Sequence, residues 1–188
     1  GEVYDTLTGP ISVDSSSRAA TGYRRKETHM TFKEYILHQL REMRRELLTA
    51  TDDLSEEDIN SFEPVGHWPV GWITEHCTDT ADKFLYRPIH GSKLLSYAPH
   101  VEGWTEREPE PGDGYPGLEE MQNRWKQVCD SIIGYVESID EEKLQEQPGN
   151  EPYINSILRI INHTNSHLRS LWCILGERRV DHKWAEQQ

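Results

Sequence analysis

The 188-residue sequence has few cysteines and fewer basic than acidic residues. Its three cysteines, Cys77, Cys129 and Cys173, lie far apart and form no Cys-x-x-Cys pair, which excludes a disulfide scaffold. The same pattern is typical of a reducing compartment, so we expect a cytoplasmic protein. The 33 acidic and 20 basic residues give a formal net charge of −13. Because such a surface repels phosphate backbones and anionic lipids, neither nucleic acid nor a membrane is an expected partner.

Long apolar runs and strand patterns are missing as well. No run of about 18 apolar residues occurs, so no transmembrane helix is expected. The N-terminus lacks the apolar centre of a signal peptide. Strand patterns, in which apolar and polar residues alternate, are nearly absent. The length is sufficient for one domain with its own hydrophobic core, and that domain is expected to be helical.

Four segments have the apolar periodicity of amphipathic helices. They cover residues 31–49, 69–86, 118–139 and 152–176. Thr31 begins the first helix with a capping box, Pro69 suits the first turn of the second, and Gly176 is the expected glycine at the end of the fourth. The connection over 88–117 is far longer than the other two. These features predict an all-α four-helix bundle with a long crossover between helices 2 and 3.

Residues 1–29 form a separate segment that is rich in Gly, Ser and Thr and has no sustained periodicity. Its few large side chains are too sparse to build a core. We therefore divide the chain into an extended N-terminal arm, 1–29, and a bundle domain, 30–188. The arm is expected to lie across the bundle or across a second subunit.

The fourth helix carries two histidines, His163 and His167, in an otherwise apolar stripe. Four residues advance a helix by about 400° and 6 Å, so both rings can reach one cation. The alternative is a pair of half-buried histidines with ordinary hydrogen bonds. Ile160 and Leu171 continue the stripe on either side, which favours a pair that points into the bundle. An unpartnered ring there is costly, and a metal would remove that cost.

A tight metal site needs a third ligand, and His76 is the best candidate. It lies inside the second helix, with Trp72 and Thr80 one turn away on either side. The other histidines are weaker candidates, because the direction of a ring in a connection is not defined, His38 lies at the boundary of its helix face, and the rings near the termini are expected to be solvated. They lie in connections (His67, His90 and His100), on the first helix (His38) or near the termini (His29 and His182).

The residues around these histidines resemble a known family. The stretch WPVGWITEHCTDTADKFL is similar to the second helix of the DinB/YfiT-like superfamily, and ILRIINHTNSHLRSLWCILG is similar to its fourth helix. The resemblance covers roughly 31–177. It implies a four-helix bundle with a long crossover, a homodimer and a divalent metal, zinc or nickel, on His76, His163 and His167. Many relatives carry Gln three residues after the last His, where this chain has Ser170. We assign Ser170 to the pocket with Trp72 and Thr80.

The resemblance also implies two reaction types on a small-molecule substrate. One is metal-dependent hydrolysis, and the other is transfer of a low-molecular-weight thiol to an electrophile. Three protein ligands leave a coordination position open for either reaction. No general base is evident, because Glu75, Asp79 and Asp82 point away from the face of His76 on an ideal helix. Cys77 and Cys173 are interpreted as small core residues rather than nucleophiles.

Two alternatives to an enzyme stay open at the level of sequence. The chain could be a non-catalytic metal-binding bundle that serves as a binding or stress-response module. It could also bind no metal, with the three histidines simply buried. A fourth protein ligand such as His67 would favour a structural metal, whereas an open position beside a pocket would favour an enzyme.

Overall fold

The structure is a computed structural model, and it describes residues 30–61, 68–98, 101 and 109–185, with side chains as far as Gly176. The predicted arm, 1–29, lies outside the described residues. So do His29, His67 and His100. The arm and its boundary with the bundle therefore remain predictions. The homodimer also remains a prediction.

The described chain is helical and has no strand, which confirms the all-α class. Its helices are α1 (Phe32–Thr51), α2 (Glu56–Asn60), α3 (Val70–Ala81), α4 (Arg87–His90), α5 (Leu118–Ser138) and α6 (Tyr153–Ala185). A π-helical segment, Asp82–Tyr86, joins α3 to α4, and a 3₁₀ turn, Glu141–Gln145, follows α5. The capping box at Thr31 is present. Part of the connection between α4 and α5 lies outside the described residues, so the four-helix count with a crossover remains a prediction.

The second predicted helix ends later than its pattern indicated. Helical structure continues through Pro88 to His90, and Gly91 ends it with a left-handed φ of 83°. The reason is the π-helical segment, which restarts the hydrogen-bond register so that Pro88 lies in the first turn of α4. Proline is tolerated there because the first turn has no intrahelical acceptor for its missing N–H.

The prediction that Gly176 ends the fourth helix is wrong. The backbone of α6 continues to Ala185, and the glycines with positive φ in the described chain are Gly91 and Gly112. A glycine in a helix interior costs about 1 kcal/mol relative to alanine but does not stop the helix. The residues after Gly176 include no proline, so the backbone register is kept.

The long helices enclose one core. Both α1 and α3 pack against α5 and α6. Large side chains from α1, α3, α5 and α6 are fully buried, among them Leu40, Trp72, Trp125 and Tyr153. Among the described helices, none combines the length and the apolar composition needed to cross a bilayer.

The most enclosed helix is α3, because all twelve of its residues are buried. At its start, a Cβ on Gly71 would lie 2.8 Å from the carbonyl oxygen of Ile59 and from the ring of Tyr115. Only glycine permits this close approach. At the other end, the Tyr153 hydroxyl donates to the carbonyl of Leu85 at 3.0 Å and joins α6 to the π-helical segment. The polar side chains of α3 therefore have to find partners inside the protein.

Candidate metal centre

The structure brings the three predicted histidines together between α3 and α6. His76 is 1% exposed, and His163 and His167 are half-buried. The Nε2 atom of His163 lies 3.1 Å from Nε2 of His76 and 3.2 Å from Nε2 of His167. One ring nitrogen from each residue lies within 4.8 Å of the other two. The stripe on α6 thus faces the isolated histidine of α3, as its spacing indicated.

Burial keeps all three imidazoles neutral. Burial, followed by the neighbouring His167, His163 and Lys83, lowers the pKa of His76 to about 3. It also lowers the pKa of His167 to about 4, with His163 as the second cause. The pKa of His163 is lowered by burial too. At neutral pH each ring therefore has one protonated nitrogen and one nitrogen with a lone pair.

Hydrogen bonds among three neutral imidazoles cannot satisfy this arrangement. The Nε2 atom of His163 is the close neighbour of two other Nε2 atoms, yet it carries either one proton or one lone pair. Its Nδ1 atom is buried and has no hydrogen-bond partner among the described residues. Either tautomer of His163 consequently leaves a ring nitrogen unsatisfied, which is costly in a buried site.

A divalent cation would satisfy the cluster. Three Nε2 lone pairs directed at one ion need no proton between the rings. For metal–nitrogen bonds of about 2.0–2.1 Å at tetrahedral angles, neighbouring nitrogens lie about 3.3 Å apart. The two distances at His163, 3.1 and 3.2 Å, are close to that value. An all-imidazole donor set suits zinc, nickel, copper or iron better than magnesium or calcium.

Two tryptophans border the cluster. Trp72 stacks on His76, with ring centroids 4.6 Å apart and planes 10° apart. Trp68 packs on Trp72 at 4.3 Å and lies 6.1 Å from His167, and it is 41% exposed. Trp72 holds the ring of His76 in place, whereas Trp68 extends from the cluster to the surface. The sequence indicated Trp72, but Trp68 lies just before α3, where no periodicity defines its direction.

The other predicted pocket residues lie one turn from a ligand. Thr80 is buried, and its hydroxyl has no hydrogen-bond partner in the described part of the chain. Ser170 is half-buried and donates to the carbonyl of Ser166 at 3.5 Å. Their role in a substrate pocket remains a prediction. His38 is exposed on α1, and His90 stacks on Tyr86, so neither joins the cluster.

The acidic side chains of α3 have partners elsewhere. Glu75 accepts hydrogen bonds from Arg124 of α5 at 2.9–3.2 Å, and Arg124 also donates to the carbonyl of Ser96. Asp79 pairs with Lys93 at 2.7 Å. Burial raises the pKa of Glu75, and Arg124 opposes that rise. Sequence reasoning predicted that Glu75 and Asp79 point away from His76, but it did not identify Arg124 or Lys93.

Asp82 completes the same acidic face from the π-helical segment. Its carboxylate accepts from the backbone N–H groups of Leu94 and Leu95 at 2.8 and 3.0 Å, and from the Tyr97 hydroxyl at 3.0 Å. These bonds fix the start of the long connection against α3. They give Asp82 a structural role.

The cysteines do not form part of the cluster. Cys77 and Cys129 are fully buried, and burial raises the pKa of each thiol. Both therefore stay protonated at neutral pH, which supports the interpretation of Cys77 as a core residue. Cys173 is exposed on α6, so its interpretation as a core residue is wrong. Its position lies outside the inward-facing stripe of Leu171 and Ile174.

Comparisons with known proteins identify one family. The family model of the DinB superfamily matches residues 39–170, well over half of the chain, and that range contains all three histidines. No curated protein matches the chain. Among solved structures, the conserved protein of a locus from Enterococcus faecalis is similar, with 14% identity and a TM-score of 0.49. The match covers 78% of this chain and 99% of that one.

Proposed function

The chain belongs to the DinB superfamily, and we propose that it is a metal-dependent enzyme that acts on a small molecule. His76, His163 and His167 are its metal ligands in this proposal. The observation that carries it is the convergence of three neutral imidazoles at ligand spacing, where either tautomer of His163 leaves a ring nitrogen without a hydrogen bond. A three-residue ligand set leaves room for a substrate or water, as catalytic metal sites do.

A divalent ion on three imidazoles supplies Lewis acidity, which lowers the pKa of a bound water or thiol and polarises a bound carbonyl. That chemistry fits both reaction types implied by the family resemblance, hydrolysis and transfer of a low-molecular-weight thiol. Zinc and nickel are the metals we expect. The proposal needs no protein nucleophile, in keeping with the burial of Cys77 and Cys129.

The protein residues have distinct tasks in this proposal. The burial that keeps the imidazoles neutral also keeps their lone pairs available for a metal at neutral pH. Trp72 fixes the plane of the His76 ring, and Trp68 forms an aromatic wall that a substrate contacts on entry. Glu75 is excluded as general base, because its carboxylate is held by Arg124.

A substrate screen tests the proposal. The metal-free protein is loaded with zinc or nickel and assayed against esters, amides and electrophiles, the electrophiles in the presence of several low-molecular-weight thiols. The matched control is His167→Ala, and a second control is His38→Ala, which removes an exposed histidine away from the cluster. We expect turnover by the wild type and His38→Ala, and none by His167→Ala. Thiol-dependent turnover identifies a transferase, and thiol-independent turnover identifies a hydrolase.

The same screen decides between an enzyme and a binding module. If the wild type binds the metal tightly but turns over no substrate faster than His167→Ala, the enzyme proposal fails. The non-catalytic metal-binding bundle then becomes the better account.

A further inference from the structure

A second feature of the described chain lies at the start of α6, next to the π-helical segment that follows α3. A cavity of about 480 Å³ opens between the π-helical segment, α4, the loop 148–151 and the start of α6. That volume lies within the range of small-molecule pockets, about 300–1,000 Å³. Its walls include Lys83, Phe84, Arg87 and Arg159. None of these residues was assigned a function by the sequence.

The cavity is positively charged in a strongly acidic protein. Lys83 and Arg87 have no carboxylate partner among the described residues, although the chain carries 33 acidic side chains. Arg159 pairs with Glu151 at 2.6 Å, and Glu151 also accepts from the Ser156 hydroxyl at 2.9 Å. The four charged groups on the cavity wall thus leave two uncompensated positive charges.

Aromatic and backbone groups strengthen this field. The Lys83 ammonium lies 5.5 Å from the centroid of Phe84, and the Arg159 guanidinium lies 5.3 Å from the same ring. The ring of Phe84 thereby holds both cations at the cavity by cation–π contacts. The N-terminus of α6, at Tyr153, also borders the cavity, and a helix N-terminus carries partial positive charge.

The spacing of residues along the helices places the cavity and the three histidines near each other. Lys83 follows His76 by seven residues, which is about two turns further along the continuous α3 and π-helical segment. Arg159 precedes His163 by one turn on α6. The cavity therefore begins about 6–10 Å along the helix axes from the metal ligands. The charge of Lys83 also contributes to lowering the pKa of His76, as expected for neighbours on one face.

We propose that this cavity binds an oxyanion group, a carboxylate or a phosphate, of the small molecule whose reactive end lies at the three histidines. Lys83 and Arg87 are the residues that recognise the anion. Arg159 contacts the anion while it remains paired with Glu151. The assignment of a reactive end rests on the proposed function, whereas the anion site itself does not. The proposal narrows the substrate class to small molecules that carry an anionic group in addition to the reacting atom.

Arginine and lysine side chains of this kind form charge-assisted hydrogen bonds that neutral groups cannot replace. A bound anion would supply the counter-charge that Lys83 and Arg87 do not receive from a carboxylate of the described residues. A neutral or cationic substrate would leave Lys83 and Arg87 without a counter-charge. The volume of about 480 Å³ suits a small molecule.

Anion titration of the full chain tests this site without a known substrate. The metal-free protein is titrated with inorganic phosphate and with succinate, and with succinamide as the neutral analogue, by calorimetry and by backbone amide shifts. The variant is the double substitution Lys83→Gln with Arg87→Gln. The matched control is Lys126→Gln on α5, together with Arg45→Gln on α1, which removes the same charges away from the cavity.

We expect phosphate or succinate to bind the wild type and the control, with the largest amide shifts at Gly149 and Asn150 of the cavity loop. The stronger of the two anions identifies the group. Succinamide should not bind, and the double variant should bind at least about tenfold more weakly. Zinc affinity of the double variant should stay within about threefold of the wild type, because no metal ligand is changed.

Equal anion affinity of wild type and double variant overturns the proposal. Amide shifts that are spread over the surface, and are not concentrated in the cavity loop, also overturn the proposal. This measurement needs only the wild type. Either result leaves the metal site untouched. Conversely, loss of zinc binding in His167→Ala with unchanged anion binding separates the two sites, and a failure of the metal proposal would not remove the anion site.

Discussion

The two polar faces of α3 have the same burial but opposite chemistry. On one face, Glu75 and Asp79 each meet a cation from another element, Arg124 at 2.9 Å and Lys93 at 2.7 Å. On the other face, about 100° around the helix, His76 meets two more neutral imidazoles. The first face contains complementary pairs, and the second contains three groups of the same kind.

This difference separates a structural from a functional role. A buried carboxylate that is matched by a cation and hydrogen bonds holds elements together, and removing its partner is destabilising. Three like imidazoles cannot satisfy one another and are retained at a cost in stability. Such a cost is typical of a site that is completed by a ligand. The acidic face thus positions α3, and the histidine face is available for binding.

The largest expected effect is on the histidine face. His163→Ala and His167→Ala should each weaken zinc binding by about a thousandfold or more, because two imidazoles do not make a tight site. The helical circular dichroism should stay unchanged, since the core of the bundle does not depend on the metal. Chelator competition measures the affinity, with His38→Ala as control. If either variant unfolds at room temperature, the metal is structural and the comparison fails.

The next effect is on the acidic face. Arg124→Met removes the partner of Glu75, whose side chain is 2% exposed, and leaves a buried carboxylate uncompensated. We expect a loss of about 3 kcal/mol in the free energy of unfolding, measured by urea titration. Zinc affinity should remain at the wild-type level. Lys126→Met on the same helix is the control, and a loss of less than about 1 kcal/mol in Arg124→Met would contradict a structural role for this pair.

The pH dependence of the stability of the metal-free protein tests the burial of the histidine face. The folded-state pKa of His76, about 3, lies below its ordinary value of 6.5. As the pH falls below about 6.5, the unfolded chain therefore takes up a proton that the folded chain does not, and stability is lost. Between pH 7 and pH 5 we expect the wild type to lose roughly 2 kcal/mol more than His76→Leu. Urea titrations at both pH values check this, and parallel losses would contradict the burial of His76.

Much of this arrangement follows from local spacing. The His-x-x-x-His pair on one helix and the single histidine on another define their faces through the helical period alone. The partners of Glu75 and Asp79 cannot be predicted from local spacing. Arg124 lies 49 residues away and Lys93 lies 14 residues from Asp79, on segments whose relative placement depends on tertiary packing.

Helix ends were also predictable where they depend on local sequence and not where they depend on tertiary packing. Thr31 was predictable because a capping box is a local motif. The continuation through Pro88 was not, because the π-helical segment changes the register only in the folded bundle. Trp68 also escaped prediction, since its contact with Trp72 depends on the path of a connection.

The smallest effect is expected at Ser170, which is half-buried and hydrogen-bonds within its own helix. Ser170→Ala should change the free energy of unfolding by less than about 0.5 kcal/mol. Zinc affinity should change by no more than about threefold. A larger loss of affinity in the chelator competition would assign Ser170 to the support of the metal ligands.

The most direct test is the metal content and coordination of the wild-type protein. The chain is purified without a nickel column, its metals are measured by mass spectrometry, and the bound ion is examined by X-ray absorption. We predict one divalent ion per chain, with three imidazole nitrogens at about 2.0–2.2 Å and no such ion in His167→Ala. A protein that binds neither zinc nor nickel when they are supplied, or an ion with fewer than three imidazole ligands, would contradict the account.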